Sequence, residues 1–259
     1  MATPGFLRAV EASLVTYRST WRGSIVSSFL NPVLFLAAMG LGLGSLVDET
    51  GRGQTLAGGT YLAFLGPGLL AAAAMQTGAG EASYPIMAGI KWTKTYHAAM
   101  ATPVAVRDIA LGALTWVSIR VAITAVAFTT VLVLFGAAES AAIVLAVPAA
   151  VLVGAAHAAA MAAFVASAQN EYGLSSVFRF AIMPMFLFSG TFFPVDQLPS
   201  WLRPVAWATP LWHGVELCRS LALGIGSVAG NLGHVAYLCL WIAAGTVLTV
   251  RRFERRLVV

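Results

Sequence analysis

The chain has 259 residues, of which 59% are apolar and only 10% charged, with a formal net charge of +5. Soluble domains run near ~25% charged, so a packed core in water does not fit, and the apolar residues fall into runs of bilayer-spanning length, about 20 residues each. Cys218 and Cys239 lie in apolar surroundings with neither disulfide nor zinc spacing, and the first apolar run is longer than the ~7–15 residues of a secretory leader.

Residues 5–22 come first. Leu7, Val10, Leu14, Tyr17 and Trp21 recur at spacings of three and four, while Arg8, Arg18 and Arg22 fall outside that stripe. The pattern predicts an amphipathic helix lying in the membrane interface. A first span is expected at about 24–46, with Pro32 as a kink and Gly40, Gly42 and Gly44 at its far end. A polar loop with Asp48, Glu49 and Arg52 follows. The second span, about 61–82, opens with Gly66, Pro67 and Gly68 and carries small residues that allow close helix approach, with Gln76 and Glu81 in its later half.

Residues 81–108, EASYPIMAGIKWTKTYHAAMATPVAVRD, form the longest polar interruption between apolar runs. Lys91, Lys94 and Arg107 lie in it, Pro85 and Pro103 punctuate it, and its middle predicts a short helix lying flat beneath the membrane. It reads as the place where a soluble partner pushes on a membrane-embedded body. The third span, about 109–135, contains Arg120 within snorkelling reach of the surface. The fourth, about 141–168, is rich in alanine and carries His157, read as a packed residue bonded to a neighbouring helix. The fifth, about 177–193, is rich in phenylalanine. Residues 194–223 hold Pro194, Pro199, Pro204 and Pro210, too many for one straight helix, and then a short apolar stretch with His213, Glu216 and Arg219, which fits a re-entrant or interfacial helix. The last span is about 232–250, and the chain then continues through RRFERR.

With six spans and the N-terminus inside, the inner face holds Arg8, Arg18, Arg22, Lys91, Lys94, Arg107, Arg179, Arg251, Arg252, Arg255 and Arg256. The outer face holds Arg52, Arg203 and Arg219, and Arg120 lies between. This is a positive-inside bias that sets both termini in the cytosol. The expected fold is therefore an all-α integral membrane protein in a single domain, 1–259.

The chemistry is sparse. There is no G-x-x-x-x-G-K-[ST] phosphate loop, no H-E-x-x-H and no Cys/His cluster with metal spacing. Membrane-embedded charges are few, which argues against a proton- or sodium-coupled carrier. An intramembrane hydrolase using Ser189 and His157, and a channel or carrier working alone, are the competing readings. Neither catalytic residues nor a metal or cofactor are expected in this chain.

FLGPGLLAAAAMQ at 64–76, KWTKTYHAAMATP at 91–103, FSGTFFPVDQLPSWL at 188–202 and TPLWHGVELCRSLALG at 209–224 resemble the ABC-2 type transporter permeases. The likeness is greatest to the branch of nodulation-factor (lipo-oligosaccharide) and daunorubicin-type drug exporters. It covers nearly the whole chain in the same order, and the proline-rich segment followed by P-L-x-H-x-x-E-x-x-R is its most specific part. The resemblance implies six transmembrane helices per subunit and a second permease copy or paralogue. It implies two copies of a separate ATPase subunit that binds ATP and Mg, in a bacterial plasma (inner) membrane. It also implies a coupling helix at about 90–101, with Tyr84, Pro85, Ile90, Lys91, Trp92, Lys94, Tyr96, Pro103 and Arg107 as ATPase-coupling residues, and the N-terminal helix beside it. Re-entrant helices are implied at 194–223, with Pro194, Pro199, Pro210, His213, Glu216 and Arg219. The cargo implied is an amphipathic drug, lipid or glycolipid/oligosaccharide, and the few charges and many phenylalanines favour a hydrophobic or lipid-linked one. Its path would run between spans one, two and five, past Gln76, Phe186, Phe188, Phe192 and Phe193. Membrane lipid is the remaining partner; nucleic acid is not one.

Overall fold

The structure is a computed structural model that describes residues 4–19, 21–43 and 60–258. Among these residues it is helical, with no strand. Hydrocarbon offers no water to backbone N–H and C=O groups, so a spanning segment must satisfy them within itself, as a helix does. The end of the first expected span and the polar loop with Asp48, Glu49 and Arg52 lie outside the described residues.

Helix α1 is Gly5–Tyr17, and α2 is Trp21–Leu36, prolonged by a π turn Ala37–Leu43. Helix α3 is Tyr61–Glu81. The polar segment then forms α4, Tyr84–Met87, with a π turn Ala88–Trp92, and α5, Thr95–Met100. Helix α6 is Val106–Leu134, α7 is Ala146–Ser167 behind a 3-10 turn Ala141–Leu145, and α8 is Tyr172–Phe188. Helices α9, Arg203–Trp207, α10, Pro210–Leu223, and α11, Val228–Leu257, complete the chain. Among the described residues five stretches are long and apolar enough to cross a membrane: Trp21–Met39, Tyr61–Trp92, Val106–Leu134, Ala141–Ser167 and Val228–Leu257.

The fifth expected span, 177–193, is displaced. Helix α8 starts at Tyr172 and ends at Phe188, about 26 Å long and short of a ~30 Å hydrocarbon layer. Its early end has a physical cause. Gly190 turns the chain with φ of 81°, a conformation open to glycine, and the Arg219 guanidinium captures its carbonyl at 2.8 Å. Pro184 is tolerated because the turn before it, Phe178–Ile182, is widened to π geometry, which relieves the clash of the proline ring with the preceding turn.

Helix α7 is the hub. Its alanines are buried against α3, α6, α10 and α11. Gly78 of α3 lies against the backbone of Gly154, and the Cβ missing from Gly154 would come within 2.5 Å of Val121 and 2.9 Å of the Ala74 carbonyl. On the other side, Thr249 of α11 donates its hydroxyl to the Ala159 carbonyl at 3.0 Å. Small residues at such crossings let backbones approach, and that is the main source of cohesion between helices bathed in lipid.

Helix α1 packs along α6 through Phe6, Ala9 and Tyr17, with the backbone of Phe6 and the Cβ of Ala9 against Gly112. Leu7 and Leu14 of the stripe expected to face the membrane interface stay exposed, and Tyr17 of the same stripe is drawn into the contact with α6. Trp21 and Arg22 belong to α2.

The bundle has two distinct ends. One gathers the 84–105 segment, the C-terminal ends of α7 and α11 and the start of α8. There Arg252 donates to the Ala163 carbonyl at 2.8 Å, Lys91 to the Gln169 carbonyl at 3.0 Å, and Tyr96 packs on Phe253. The other end gathers residues 189–223 and the start of α3. There the amides of Glu139 and Ser140 donate to the Ala222 carbonyl at 3.0 Å.

Replacing Gly78 with leucine drives a side chain into the α7 backbone. The expected loss is about 1–3 kcal/mol, read as a lower midpoint of thermal unfolding in detergent. Gly80→Ala is the control: nothing lies within 4 Å of its would-be Cβ, and it is expected to be neutral or to gain up to ~1 kcal/mol from helix propensity.

Candidate functional site

A lateral cavity of about 450 Å³ opens between α2, α3, α6 and α8. Its apolar wall includes Phe35, Phe128 and Phe186; its polar wall includes Gln76, Thr77, Thr124, Glu81 and Arg120. Arg120 lies nearly four turns into α6. Its Nε and Nη2 donate to the Glu81 carboxylate at 3.1 and 3.0 Å, and its guanidinium sits 4.6 Å from the centroid of the Tyr17 ring. The expected snorkelling arginine is thus paired with Glu81 inside the bundle. Two opposite charges with hydrogen bonds between them are far cheaper in hydrocarbon than either alone. Tyr17 in turn stacks edge-on against Trp116, with centroids 5.5 Å apart, so α1 touches the ion pair that lines the cavity. Nothing in the sequence joined Glu81, Arg120 and Tyr17, because they come from three helices far apart in the chain.

Of the expected path residues, Gln76 and Phe186 line this cavity. Phe192 braces Phe186 edge-to-face at 5.0 Å. Phe188 is 39% exposed outside the cavity, and Phe193 packs on a separate small cluster of Val195, Leu198 and Ala206.

The polar segment is two short helices rather than one. Lys94 adopts φ of 54°, the one non-glycine residue with positive φ among those described, and this breaks the run between Trp92 and Thr95. Its residues separate into two groups. Trp92 is 50% exposed, Tyr84 43%, and Lys94, Pro85, Pro103 and Arg107 are exposed with them. Ile90 and Tyr96 turn inward: Ile90 is buried, and the Tyr96 ring packs on Gly89 and on Phe253 at 5.8 Å. Burial pushes the Tyr96 phenol up to about 12, so it stays neutral. Lys91 faces the solvent but donates to the Gln169 carbonyl, and the Tyr84 hydroxyl meets Ser175 Oγ at 3.5 Å. Both links run from the polar segment to the loop before α8 and to α8 itself.

At the opposite end Arg219 is buried, at 5% exposure. It donates to the Phe64 carbonyl at 3.2 Å, to Gly190 at 2.8 Å and to Glu216 at 2.8 Å, and it lies 3.9 Å from the Phe64 ring centroid. One side chain thereby ties α10 to the start of α3 and to the turn after α8. Pro194 precedes the 3-10 turn Val195–Gln197, Pro199 is exposed, and Pro210 begins α10 under a Thr209 cap. His213 meets His234 of α11, Nδ1 to Nδ1 at 2.8 Å, and stacks on Tyr237 at 3.8 Å.

The Ser–His pairing finds no support. The Ser189 hydroxyl bonds Thr209 at 2.9 Å, and His157 Nδ1 bonds the Val153 carbonyl of its own helix at 2.8 Å, not a neighbouring one. Among the described residues no group of three or more His, Cys, Asp or Glu is arranged to hold a metal.

The profile of the ABC-2 type transporter family matches residues 6–223. The chain is similar to Nodulation protein J of Rhizobium meliloti (strain 1021), 30% identical over 235 residues that cover 90% of this chain and 87% of that one. It is also similar to Nodulation protein J of Rhizobium leguminosarum bv. viciae, 29% identical over 253 residues, 97% and 95% of the two chains. A third relative, Nodulation protein J of Bradyrhizobium diazoefficiens, is 27% identical over 265 residues, 98% of each. A multi-pass helical body, a match that spans most of its length and relatives covered nearly end to end lead to one conclusion: the chain belongs to the ABC-2 type transporter family.

Proposed function

We propose that this chain is the membrane subunit of an ATP-driven exporter in a bacterial inner membrane, moving an amphipathic drug, lipid or glycolipid/oligosaccharide outward. It works with a second permease copy or paralogue and with two copies of an ATPase subunit, which hold the ATP and Mg. Family membership supports a membrane transport component, and the sequence has no phosphate loop of its own. Six crossings, with α8 as the short one, put both termini on the cytosolic side with most of the basic residues. Residues 194–223 then form the re-entrant segment on the outer side.

The observation that carries this reading is the placement of α8. Its start is bonded to the polar segment through Lys91–Gln169 and Tyr84–Ser175, its last turn supplies Phe186 to the cavity, and the turn beyond it is held by Arg219. A push on the segment by a soluble partner reaches the cavity wall directly through Pro85, which lines it, and along α8, which adds Phe186 from the other side. The exposed Trp92 and Lys94 are the surface that a partner would grip, and an aromatic anchor of this kind is where interface energy concentrates. The cavity matches an amphipathic cargo: phenylalanines for an apolar part, and a carboxylate, a guanidinium, an amide and two threonine hydroxyls for a polar part.

Two tests follow from the division of the polar segment. Trp92→Ala with Lys94→Glu is expected to weaken co-purification of the ATPase subunit by at least about ten-fold, the loss of one aromatic anchor. Lys91→Ala with Tyr84→Phe is expected to keep the ATPase bound while transport into inverted vesicles falls. Undiminished ATPase capture by the first variant contradicts the docking surface, and undiminished transport by the second contradicts the α8 linkage.

In the cavity, Arg120→Gln leaves the half-buried Glu81 carboxylate without its partner, a loss of about 1–3 kcal/mol, read as reduced thermal stability. Glu81→Gln with Arg120→Gln removes both charges and is expected to recover most of that stability but not transport. Full transport by the double variant would show that the polar wall does not serve the cargo.

A further inference from the structure

Helices α10 and α11 meet through two histidines. His213 Nδ1 and His234 Nδ1 lie 2.8 Å apart, and this is the one side-chain hydrogen bond between the two helices among the described residues. Aromatic rings surround the pair. Tyr237 stacks on His213 at 3.8 Å and donates its hydroxyl to the Ala208 carbonyl, and Trp212 stands edge-on to the two imidazoles at 4.9 and 5.4 Å. Both imidazoles are half-buried, and His234 lines a small polar cavity of about 170 Å³ with Glu216, Ser227 and Asn231. The pair is therefore within reach of protons from water.

This contact limits the charge it can carry. A bond between two ring nitrogens needs one N–H and one bare lone pair. Two neutral rings meet that need, and so do one neutral and one charged ring. Two charged rings do not, because each presents an N–H and two positive charges face each other at hydrogen-bond range. Other charges around the pair are few. On α10, Glu216 is paired with Arg219 at 2.8 Å, and Cys218 faces the Ala146 carbonyl. Arg203 of α9 is held by the Leu198 and Asp196 carbonyls, and His157 of α7 by the Val153 carbonyl. Tyr61 begins α3, and Glu139 sits by Ala222 at the far end of α10. Only Glu216 and Arg219 of these line the small cavity with His234, and they cancel each other. Burial first and the facing His234 second push His213 down to about 4, with the Trp207 carbonyl pulling the other way.

We propose that His213 and His234 are a proton-operated latch between α10 and α11, which holds while at most one of the two imidazoles is charged and lets go when both are. The sign of the pH dependence follows. The closed latch keeps His213 neutral down to about 4, whereas a released ring takes its proton near 6.5. The latch is therefore at full strength above about pH 6.5, and its hold weakens about ten-fold for each pH unit below that, until about 4. Release frees the start of the helix whose Arg219 grips the Phe64 carbonyl and the Gly190 turn after α8. In the topology proposed above this end faces outside, so the latch reads external acidity. The latch itself rests on the His213–His234 contact and stands whether or not the chain exports anything.

The test uses the full chain in phospholipid nanodiscs, with ¹⁵N in the rings of its four histidines. His234→Asn assigns the pair and supplies a latch that does not titrate, because the carboxamide offers both a donor and an acceptor to His213, neutral or charged. At about pH 7.5 the two Nδ1 resonances are expected to be coupled across the N–H···N bond. At about pH 5.5, where a free histidine is about nine-tenths charged, His213 is expected to stay mostly neutral with the coupling intact. Hydrogen-exchange protection of residues 211–220, corrected for the intrinsic rate, is expected to fall about ten-fold from pH 6 to pH 5, and to stay level in His234→Asn. No coupling at about pH 7.5, a His213 that titrates near 6.5, or wild-type protection that stays level to about pH 4.5 overturns the proposal. If His234→Asn fails to fold, the wild-type coupling and protection still decide.

Discussion

Close backbone contact around α7 is the constraint on which this structure rests. Lipid tails are as apolar as leucine, so little hydrophobic gain is available for bringing spanning helices together. What remains is dispersion and hydrogen bonding at short range, and both require small residues at the crossings. Gly78 against Gly154, Val121 against Gly154, and Ala159 against Thr249 and Gly245 supply them. Helices α2 and α11 turn most of their apolar side chains outward, which suits a body surrounded by lipid and, in the assembly proposed above, by a second copy.

Within that frame α8 is the element held least by packing and most by polar ties. It is short and interrupted by a π turn, and it is fastened near its ends: by Lys91 and Tyr84 at one and by Arg219 at the other. Directional bonds of this kind fix position without filling space. They let one helix shift as a unit while the α3–α7–α11 core stays packed, and such two-position elements are what transmit a push from one site to another. The cavity lies beside this element, and Glu81, Arg120 and Tyr17 connect the same cavity to α1.

Much of this was legible in the sequence. Apolar run lengths located the long helices, the interruption at 81–108 marked a polar segment, and the prolines at 194–210 foretold broken structure. Three things were not legible, each for a physical reason. The packing of α1 on α6 depends on Ala9 and Gly112 being small, and an apolar stripe read as facing the membrane interface does not reveal it. The break at Lys94 is a left-handed residue that carries no glycine or asparagine signal. Glu81, the partner of Arg120, and the Phe64 and Gly190 carbonyls that hold Arg219 alongside its helix neighbour Glu216 come from distant segments, and periodicity within one helix says nothing about groups on another. Phe188 and Phe193 looked equivalent to Phe186 in composition, yet only Phe186 of the three reaches the cavity, because Phe188 lies two residues on, on another face of α8, and Phe193 lies beyond the helix end.

The central claim is that α8 carries motion from the polar segment to the cavity. It is tested most directly by electron–electron resonance distances between the two copies of the assembled transporter, with spin labels at the two ends of α8, on Ser176 in one sample and on Leu187 in the other. The account predicts that replacing ADP with a non-hydrolysable ATP analogue shifts the distance distributions at both positions together. A shift at Ser176 with Leu187 unchanged would contradict it.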